Sequence, residues 1–448
     1  MYKQNPELLE KIRQQFKTAP YPRVDLETTP KNNWEALYLH SLVTPYYLRN
    51  QKVISTEGKV ILDAGCGTGY RSLILALANP GAKIIGIDLS EEAIDLARTR
   101  LEYHEIDQTE FQVLSIEEVG QLGQEFDYIN VDDVLYLFED ITVGLNALKS
   151  VLKPQGILRA NLHSELQRTS YFRVQKVFKI MGLMDEVPGE LEIEIARDTM
   201  RNLKDDVVLK TRAWSLDLEK DDERILMNYL FVGDKGYTIP ELFTALKKTN
   251  LEFISMLNWR HWELTDLFKK PDDLPTFFAL SLPETSLEER LHVFELLHPI
   301  HRLLDFWCGH TDNSELFTPI AQWTKPDWQQ AQVHLHPQLR TPQVKADLLE
   351  CISRHQPFDI SRYIPLPTTV PIFLESDLAA CLLPLWDGVQ SVSTLVQLWL
   401  KLRPLDPITL ECVSYEMAAS EIKRLLMRLE CFLYVLLERS ASGEGKNF

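Results

Sequence analysis

Short apolar runs alternate with amphipathic runs between residues 59 and 162. The apolar runs predict buried strands, and the amphipathic runs predict helices. The pattern places strands at 59–65, 82–88, 110–115, 126–132 and 156–162, and helices at 70–79, 90–104 and 140–152. Because a helix or helical turn follows each strand, the strands should lie parallel, with helices on both faces and their carboxyl ends at one edge.

After His163 the pattern changes to helical and heavily charged over residues 164–235. We interpret this segment as a helical insertion that caps the strand ends. A helix at 237–250 and strands at 251–257 and 276–283 would then complete a seven-stranded sheet. The expected fold is therefore α/β, with a mostly helical domain after it.

The expected domains follow from these elements. They are an N-terminal helical segment and lid at 1–57, an α/β domain at 58–283, a mostly helical C-terminal domain at 284–440 and a disordered tail at 441–448. In the C-terminal domain we predict helices at 286–307 and 421–438 and a strand-like segment at 331–337. A chain of 448 residues is long enough for two such domains.

Charge and cysteine content exclude several classes of partner. With 47 basic and 65 acidic residues, the formal net charge is −18, which argues against nucleic acid or an anionic membrane surface as a partner. The six scattered cysteines fit reduced thiols rather than a disulfide framework. The longest apolar runs are far shorter than the roughly 20 residues of a membrane span. We therefore expect a soluble, cytoplasmic protein.

Three glycines, Gly65, Gly67 and Gly69, lie between the first predicted strand and its helix. Such a loop lets backbone amides at a helix amino terminus approach a ligand closely. Asp88 ends the second strand, where a carboxylate can accept hydrogen bonds from both hydroxyls of a ribose. This pairing fits an adenosine-type ligand. Asp63 before the first glycine does not suit a pyrophosphate, but it suits an ammonium and a sulfonium, as in S-adenosyl-L-methionine.

The stretch "DAGCGTG" at 63–69 resembles the first motif of class I S-adenosylmethionine-dependent methyltransferases, and the resemblance extends over about 59–162. It implies a Rossmann-like seven-stranded sheet and S-adenosyl-L-methionine as cofactor. Segments 21–23, 144–168 and 236–257 further resemble a bacterial group of methyltransferases sometimes fused to tetratricopeptide repeats. Carried over by position, the resemblance implies cofactor contacts at Asp63, Gly65, Gly67, Gly69, Asp88, Leu89, Ser115 and Ile116.

Methyl transfer is an in-line displacement, so the protein must align the acceptor, exclude water and, where needed, remove a proton. The strand ends surround the expected methyl position with the candidate catalytic residues Asp132, Asp133, Tyr136 and His163. Asp133 or His163 is a candidate base, and Tyr136 a candidate for orienting the acceptor. The expected substrate-binding residues are Tyr21 and Arg23 in a lid, and Arg168 as a clamp for an anionic group.

The leading hypothesis is a methyltransferase acting on a small metabolite or natural-product precursor. Two alternatives remain at this point. A protein (lysine-type) methyltransferase would be favoured by a deep acidic channel to the methyl site, and a non-catalytic cofactor-binding module by a cap that blocks every route to Asp132. We expect no metal, because the spacing of His298, His301, Cys308 and His310 matches no established zinc signature.

Overall fold

The computed structural model describes residues 6–18, 23–311, 317–365, 370–406 and 408–439. The chain forms two compact units. Unit 1 comprises Met1–Thr29, Gly58–Ala76 and Gly81–Asn313, and unit 2 comprises Pro30–Glu57, Leu77–Pro80 and Ser314–Phe448. Among the described residues, no helix combines the length and apolar character needed to cross a membrane.

Unit 1 is built on one mostly parallel sheet. Its strands are β1 (Val60–Ala64), β2 (Lys83–Asp88), β3 (Thr109–Val113), β4 (Phe126–Val131), β5 (Leu152–Ser164), β6 (Gly236–Tyr237), β7 (Leu251–Met256) and β8 (Leu303–His310). Seven of them follow the order β3-β2-β1-β4-β5-β8-β7, and the short β6 pairs with β5. Strands β1 to β5 are parallel to one another, whereas β8 is antiparallel to both β5 and β7. The predicted α/β, Rossmann-like sheet is confirmed.

The helices flank this sheet or belong to the insertion and to unit 2. In chain order they are α1 (Pro6–Thr18), α2 (Trp34–Leu39), α3 (Val43–Asn50), α4 (Tyr70–Ala78), α5 (Glu91–Tyr103), α6 (Ile141–Ser150), α7 (Glu165–Ile180), α8 (Glu190–Asn202), α9 (Val208–Ala213), α10 (Leu216–Glu219), α11 (Asp222–Tyr229), α12 (Ile239–Lys248), α13 (Thr276–Ser281), α14 (Leu287–Leu297), α15 (Lys325–Gln330), α16 (Pro342–Ser353), α17 (Ser376–Leu382), α18 (Val392–Leu402) and α19 (Tyr415–Glu430). The helices predicted at 70–79, 90–104 and 140–152 correspond to α4, α5 and α6.

The last strand of the sheet lies where the sequence pattern predicted a helix. Segment 276–283, predicted as that strand, begins with α13, and the helix predicted over 286–307 ends at Leu297. Pro299 cannot continue a helix, and the chain then enters β8, which is buried along most of its length. Because β8 completes the sheet, unit 1 extends to Asn313. The boundary predicted between residues 283 and 284 therefore falls inside this unit.

The insertion is helical, as the pattern after His163 predicted. Helices α7 to α11 enclose a small core of their own, formed among others by Val174, Phe178, Ala196, Met200, Ile225 and Tyr229. Helix α1 contacts the end of this insertion, because the Gln15 side chain donates to the carbonyl of Leu230 and accepts from the amide of Val232, at 3.2 and 3.1 Å. The N-terminal helix and the insertion are thereby joined within unit 1.

Unit 2 is mostly helical but contains five strands among its described residues, of which only β9 was predicted, as the strand-like segment at 331–337. A three-stranded sheet has the order β12 (Gln390–Ser391), β9 (Ala331–Leu335), β13 (Val435–Arg439), and β10 (Phe358–Asp359) pairs with β11 (Phe373–Leu374). The helix predicted over 421–438 ends at Glu430, so its last part is strand β13. Tyr47 of α3 accepts a hydrogen bond from the amide of Leu437 at 2.9 Å.

Residues 30–57 consequently belong to unit 2, and the predicted N-terminal segment 1–57 is divided between the two units. The predicted tail at 441–448 lies outside the described residues.

Candidate active site

The glycine loop follows β1, and all three of its glycines, Gly65, Gly67 and Gly69, have left-handed backbone. Gly65 and Gly69 have φ angles of +78° and +79°. A Cβ atom on Gly65 would lie 2.4 Å from Cγ2 of Val134, and one on Gly69 would lie 2.7 Å from the backbone Cα of Ala97 in α5. Both positions require glycine, but Gly69 serves the packing of the loop on α5. It does not line the adjoining cavity, contrary to the sequence prediction.

Asp88, at the end of β2, accepts one hydrogen bond on each carboxylate oxygen. The amide of Gly67 donates to Oδ2 and the amide of Ser90 donates to Oδ1, both at 2.9 Å. Burial raises the pKa of Asp88, and the backbone hydrogen bonds oppose that shift. Asp88 and Leu89, which are predicted cofactor contacts, line the cavity, and each oxygen of Asp88 retains lone-pair capacity for a ligand hydroxyl.

Asp63 lies beneath the loop rather than in the cavity wall. Its Oδ2 accepts a hydrogen bond from Ser72 Oγ at 2.6 Å, and its Oδ1 accepts one from Asn130 Nδ2 at 2.8 Å. Burial raises the pKa of Asp63 to about 6, and both hydrogen bonds oppose that shift. The carboxylate therefore fixes the loop to α4 and β4. Asp63 does not line the cavity, so the geometry does not support the predicted direct contact with the cofactor.

The first cavity lies at the carboxyl ends of β1, β2 and β4 and encloses about 940 Å³, counting space open to solvent. Its lining consists of Ile12, Arg13, Gly65, Gly67, Asp88, Leu89, Ser90, Ala93, Leu114, Ile116, Glu117, Asp132, Asp133, Val134, Leu137 and Phe138.

The end of this cavity beyond β3 differs from the prediction at one residue. Ile116 lines it as expected, but the Ser115 hydroxyl donates to Glu118 Oε2 at 3.1 Å and is not in the lining. Glu117 lines the cavity instead. The sequence carried a signal for Glu117, because it is an acidic residue only two positions after Ser115, the residue that was expected to line the cavity. No sequence signal indicated that Ile12 of α1 would line the cavity, because its position depends on the tertiary packing of the N-terminal helix.

Asp132, after β4, belongs to a buried ionic network. Its carboxylate lies 2.7 Å from Arg71 Nε and 3.6 Å from Arg159 Nη2, and it accepts a hydrogen bond from the Asn161 amide. Arg159 in turn contacts Asp305 of β8 at 2.8 Å. A carboxylate held by this many donors is poorly suited to accept a proton from an acceptor. The geometry thus supports Asp132 as a positioning residue rather than the predicted catalytic one.

We expect Asp305→Ala to lower the free energy of unfolding by about 3–5 kcal/mol, because it leaves the Arg159 guanidinium buried without its nearest carboxylate. Arg159 is only 4% exposed. Urea denaturation followed by tryptophan fluorescence measures the change. The control is Glu110→Ala, which removes the exposed pair with Lys83 and should cost less than about 1 kcal/mol. Equal stability of the two variants would contradict the structural importance of the network.

Asp133 lines the first cavity and also a second one. Its backbone is left-handed, with φ +58°, and its amide donates to Asn161 Oδ1 at 2.9 Å. Its Oδ1 lies 3.4 Å from the hydroxyl of Tyr136 and 3.6 Å from Arg302 Nη2. Burial and the charge of Asp132 raise the pKa of Asp133, against the charges of Arg302 and His163. Asp133 therefore lines both cavities, and its carboxylate has a raised proton affinity.

The second cavity lies between the sheet edge and the insertion. It is lined by Asp133, Tyr136, His163, Gln167, Arg168, Tyr171, Asp221, Glu223, Arg224, Met227, Asn228, Phe231 and Arg302. Because β8 is antiparallel to β5, its beginning lies beside the carboxyl end of β5, and this brings Arg302 to the site. Sequence reasoning missed Arg302, since it fell within a segment predicted as one helix.

His163 uses both ring nitrogens within the protein. Nδ1 lies 2.6 Å from Asp234 Oδ1, and Nε2 lies 3.0 Å from Arg302 Nη1. Burial lowers the pKa of His163, although Asp234 opposes that shift. In a neutral ring, Nδ1–H donates to Asp234 and Nε2 accepts from Arg302. His163 stacks on Tyr136 with ring centroids 3.9 Å apart, so the geometry supports a positioning role for it and does not support the predicted role as base.

Of the predicted substrate-binding residues, Arg168 lines the second cavity. Arg23 is exposed. Burial raises the pKa of Glu223, a lining residue of this cavity, and the charge of Arg23 opposes that shift. The carbonyls of Val24 and Asp25 accept hydrogen bonds from Arg100 of α5 at 2.7 and 2.9 Å, so the segment after Arg23 is fixed to unit 1. Tyr21 lies outside the described residues.

The histidines considered for a metal are used in packing and hydrogen bonding. His301 stacks on Trp262 with ring centroids 4.5 Å apart, and His310 Nε2 lies 3.0 Å from the carbonyl of Leu152. In the described part of the chain, no group of three or more histidine, cysteine, aspartate and glutamate residues is placed to hold a metal ion.

Comparison with known proteins identifies the region that carries the glycine loop. Residues 55–229 match a family model described as "Methyltransferase domain". An uncharacterized protein of Synechococcus sp. is 31% identical over 282 residues, which cover 62% of this chain and 64% of that protein. A ubiquinone biosynthesis O-methyltransferase of Coxiella burnetii is 33% identical over 129 residues, which cover 29% of this chain and 53% of the relative. The chain thus spans less than two thirds of the length of these relatives.

A solved structure is similar over most of the chain. PKMT2 from Rickettsia typhi, in complex with AdoHcy, superimposes with a TM-score of 0.58 at 17% identity, covering 94% of this chain and 78% of that one. At this identity the likeness concerns the fold.

Proposed function

We propose that this protein, whose residues 55–229 match a methyltransferase-domain family model, transfers the methyl group of S-adenosyl-L-methionine to a small-molecule acceptor. The observation that supports this most directly is the pair of cavities that meet at Asp133. One cavity carries the glycine loop and Asp88. The other carries polar and aromatic side chains but no part of the loop, as expected for an acceptor site beside a cofactor site.

The first cavity fits the cofactor by its chemistry. Asp88 provides a carboxylate for the two ribose hydroxyls, and the left-handed glycine loop allows close approach of the backbone. Leu114, Ile116 and Leu137 provide an apolar wall suited to an adenine ring. S-adenosyl-L-methionine supplies an electrophilic methyl group on its sulfonium.

The side chains around Asp133 provide the remaining requirements of the reaction. Asp133 accepts a proton from the acceptor, because its raised pKa makes it a stronger base than an ordinary aspartate. Arg302 and the Tyr136 hydroxyl contact its Oδ1 and hold the carboxylate in one orientation. His163, stacked on Tyr136 and fixed by Asp234, keeps this arrangement in place. The acceptor atom is thereby aligned from the second cavity toward the first.

The composition of the second cavity favours a small molecule over the protein substrate considered as an alternative. Three carboxylates and three guanidinium groups line it, so it is not the acidic channel that a lysine side chain would require. The non-catalytic alternative requires every route to the methyl position to be blocked. A cavity that opens beside Asp133 supports an accessible acceptor site instead.

The test is transfer of label from S-adenosyl-L-methionine tritiated on its methyl group. Purified protein is incubated with extract of the source organism, and small molecules are separated from polypeptides, with Asp88→Ala as control. Label in the small-molecule fraction is the expected result. Label on polypeptides would replace the proposal with protein methylation, and no label above the control would favour a non-catalytic binding module.

We expect Asp88→Ala to weaken binding of S-adenosylhomocysteine by about 10- to 100-fold, since hydrogen bonds to a charged group are worth about 1.5–3 kcal/mol. Isothermal titration calorimetry measures the change. Ser115→Ala is the matched control, because the Ser115 hydroxyl contacts Glu118 and not the cavity. If Ser115→Ala weakened binding as much as Asp88→Ala does, the placement of the adenosine along this edge would be wrong.

A further inference from the structure

We propose that the methyl acceptor carries a carboxylate, remote from the atom that is methylated, and that Arg168 receives it in the second cavity. This inference rests on the proposed function and adds the chemical class of the acceptor, an acid with an apolar body. Arg168 lies in the first turn of α7 and lines the cavity. Its side chain is almost completely buried, with 2% exposure.

The guanidinium of Arg168 is only partly satisfied by the protein. Nη1 donates to Asn228 Oδ1 and Nη2 donates to Asp234 Oδ2, both at 3.2 Å. Its buried Nε–H has no hydrogen-bond partner among the residues that the structure describes. A buried, charged donor without a partner is costly, and such a group in a native protein calls for an explanation. A ligand oxygen in this cavity would supply the missing acceptor.

A carboxylate is the natural partner for that edge of Arg168. The guanidinium presents Nε–H and Nη–H as a planar fork that matches a carboxylate in a bidentate geometry. The preceding residue, Gln167, also lines the cavity, and its buried Oε1 likewise has no partner within the described ranges. The amide of Gln167 carries two donor hydrogens on Nε2, so a rotated amide can donate to a ligand in this cavity.

The charges that line the cavity are balanced, with three carboxylates against three guanidinium groups. Asp234 contacts Arg168 but does not line the cavity, and it is shared with His163 and with Gln175 Nε2, which lies 2.8 Å away. Burial also raises the pKa of Glu223, one of the lining carboxylates. A ligand anion at Arg168 therefore does not enter a cavity dominated by negative charge.

Aromatic and apolar side chains also line this cavity. Tyr136, Tyr171, Met227 and Phe231 line it together with Asp133 and Arg168. The ring of Tyr171 also lies 5.2 Å from the Arg168 guanidinium, which restricts the orientation of the cation. These side chains offer an apolar surface to the body of an acceptor whose carboxylate binds at Arg168.

The charge of the tritiated product tests the inference even while the product itself is unidentified. After label transfer in source extract, the small-molecule fraction is passed over an anion exchanger at pH 8. We expect the labelled product to be retained and then released at about pH 2–3, where a carboxylate is protonated. Label that flows through at pH 8 would overturn the inference while leaving the proposed function intact, whereas absence of any label would remove the proposed function and the inference with it.

A variant separates substrate recognition from structural support. Arg168→Gln should raise the apparent KM for the acceptor in source extract about tenfold or more, measured as the amount of extract that gives half-maximal label transfer, with the maximal rate and the affinity for S-adenosylhomocysteine changed much less. The matched control is Gln175→Ala, which also removes a donor from Asp234 but does not line the cavity. Equal KM increases in both variants would assign Arg168 a purely structural role. If Arg168→Gln fails to fold, the product charge still decides the question.

Discussion

Asp133→Asn is expected to lower kcat by about 10²- to 10⁴-fold, the usual contribution of a positioned general base. The affinity for S-adenosylhomocysteine should change little, because the substitution replaces one oxygen by nitrogen at constant shape. Asparagine tolerates left-handed backbone as well as any residue with a side chain, so φ +58° adds no strain. Single-turnover rates and calorimetric binding measurements separate the two quantities.

The pH dependence provides an independent check. A base acts when deprotonated, and burial with the Asp132 charge raises the pKa of Asp133. The rate of the wild-type protein should therefore fall as the pH drops through a value above the ordinary aspartate pKa of about 4. In Asp133→Asn the residual rate should lose this dependence. The same acid limb in both proteins would show that another group titrates.

Tyr136→Phe is the graded control for the base. It removes the hydroxyl 3.4 Å from Asp133 Oδ1 but retains the ring that stacks on His163. We expect a reduction of kcat that is much smaller than that of Asp133→Asn. A loss of less than about threefold in Asp133→Asn itself would mean that the acceptor atom reaches the site already deprotonated, and it would remove Asp133 from the mechanism.

The five parallel strands of unit 1 were predictable because each carries its own apolar run and its own flanking turn. Strand β8 was not, because Leu303–His310 follows an amphipathic helix without a glycine between them, and its partner strands are distant in sequence. Pro299 was the available signal for the end of that helix. The same error hid Arg302, which the antiparallel direction of β8 brings beside β5.

The candidate site shows the same division between local and long-range information. Asp88 and Gly65 were predictable because the motif fixes their positions along the chain. The role of His163 was not, because its partners Asp234 and Arg302 lie 71 and 139 residues away in sequence. Asp132 and Asp133 are adjacent in sequence, yet the left-handed backbone at Asp133 directs them to different surroundings. One carboxylate enters the ionic network, and the other reaches both cavities.

Gly65→Ala should lower the free energy of unfolding by about 2–5 kcal/mol. The new methyl group would lie 2.4 Å from Cγ2 of Val134, and φ +78° disfavours any residue with a Cβ. The range combines left-handed strain of about 1–2 kcal/mol with overpacking of about 1–3 kcal/mol, and both costs are present with or without the cofactor. Urea denaturation followed by tryptophan fluorescence measures the change.

Two further variants separate the two causes. Gly58 also has left-handed backbone, with φ +72°, but a Cβ there meets no atom within 4 Å, so Gly58→Ala reports strain alone. In the double variant Gly65→Ala, Val134→Ala the offending Cγ2 is removed, and the remaining Cβ of residue 134 lies 3.5 Å away, an ordinary contact. The double variant should therefore recover the overpacking component and retain the strain. If Gly65→Ala costs as much stability in the Val134→Ala background as in the wild type, close approach of Val134 is not the reason for glycine at this position.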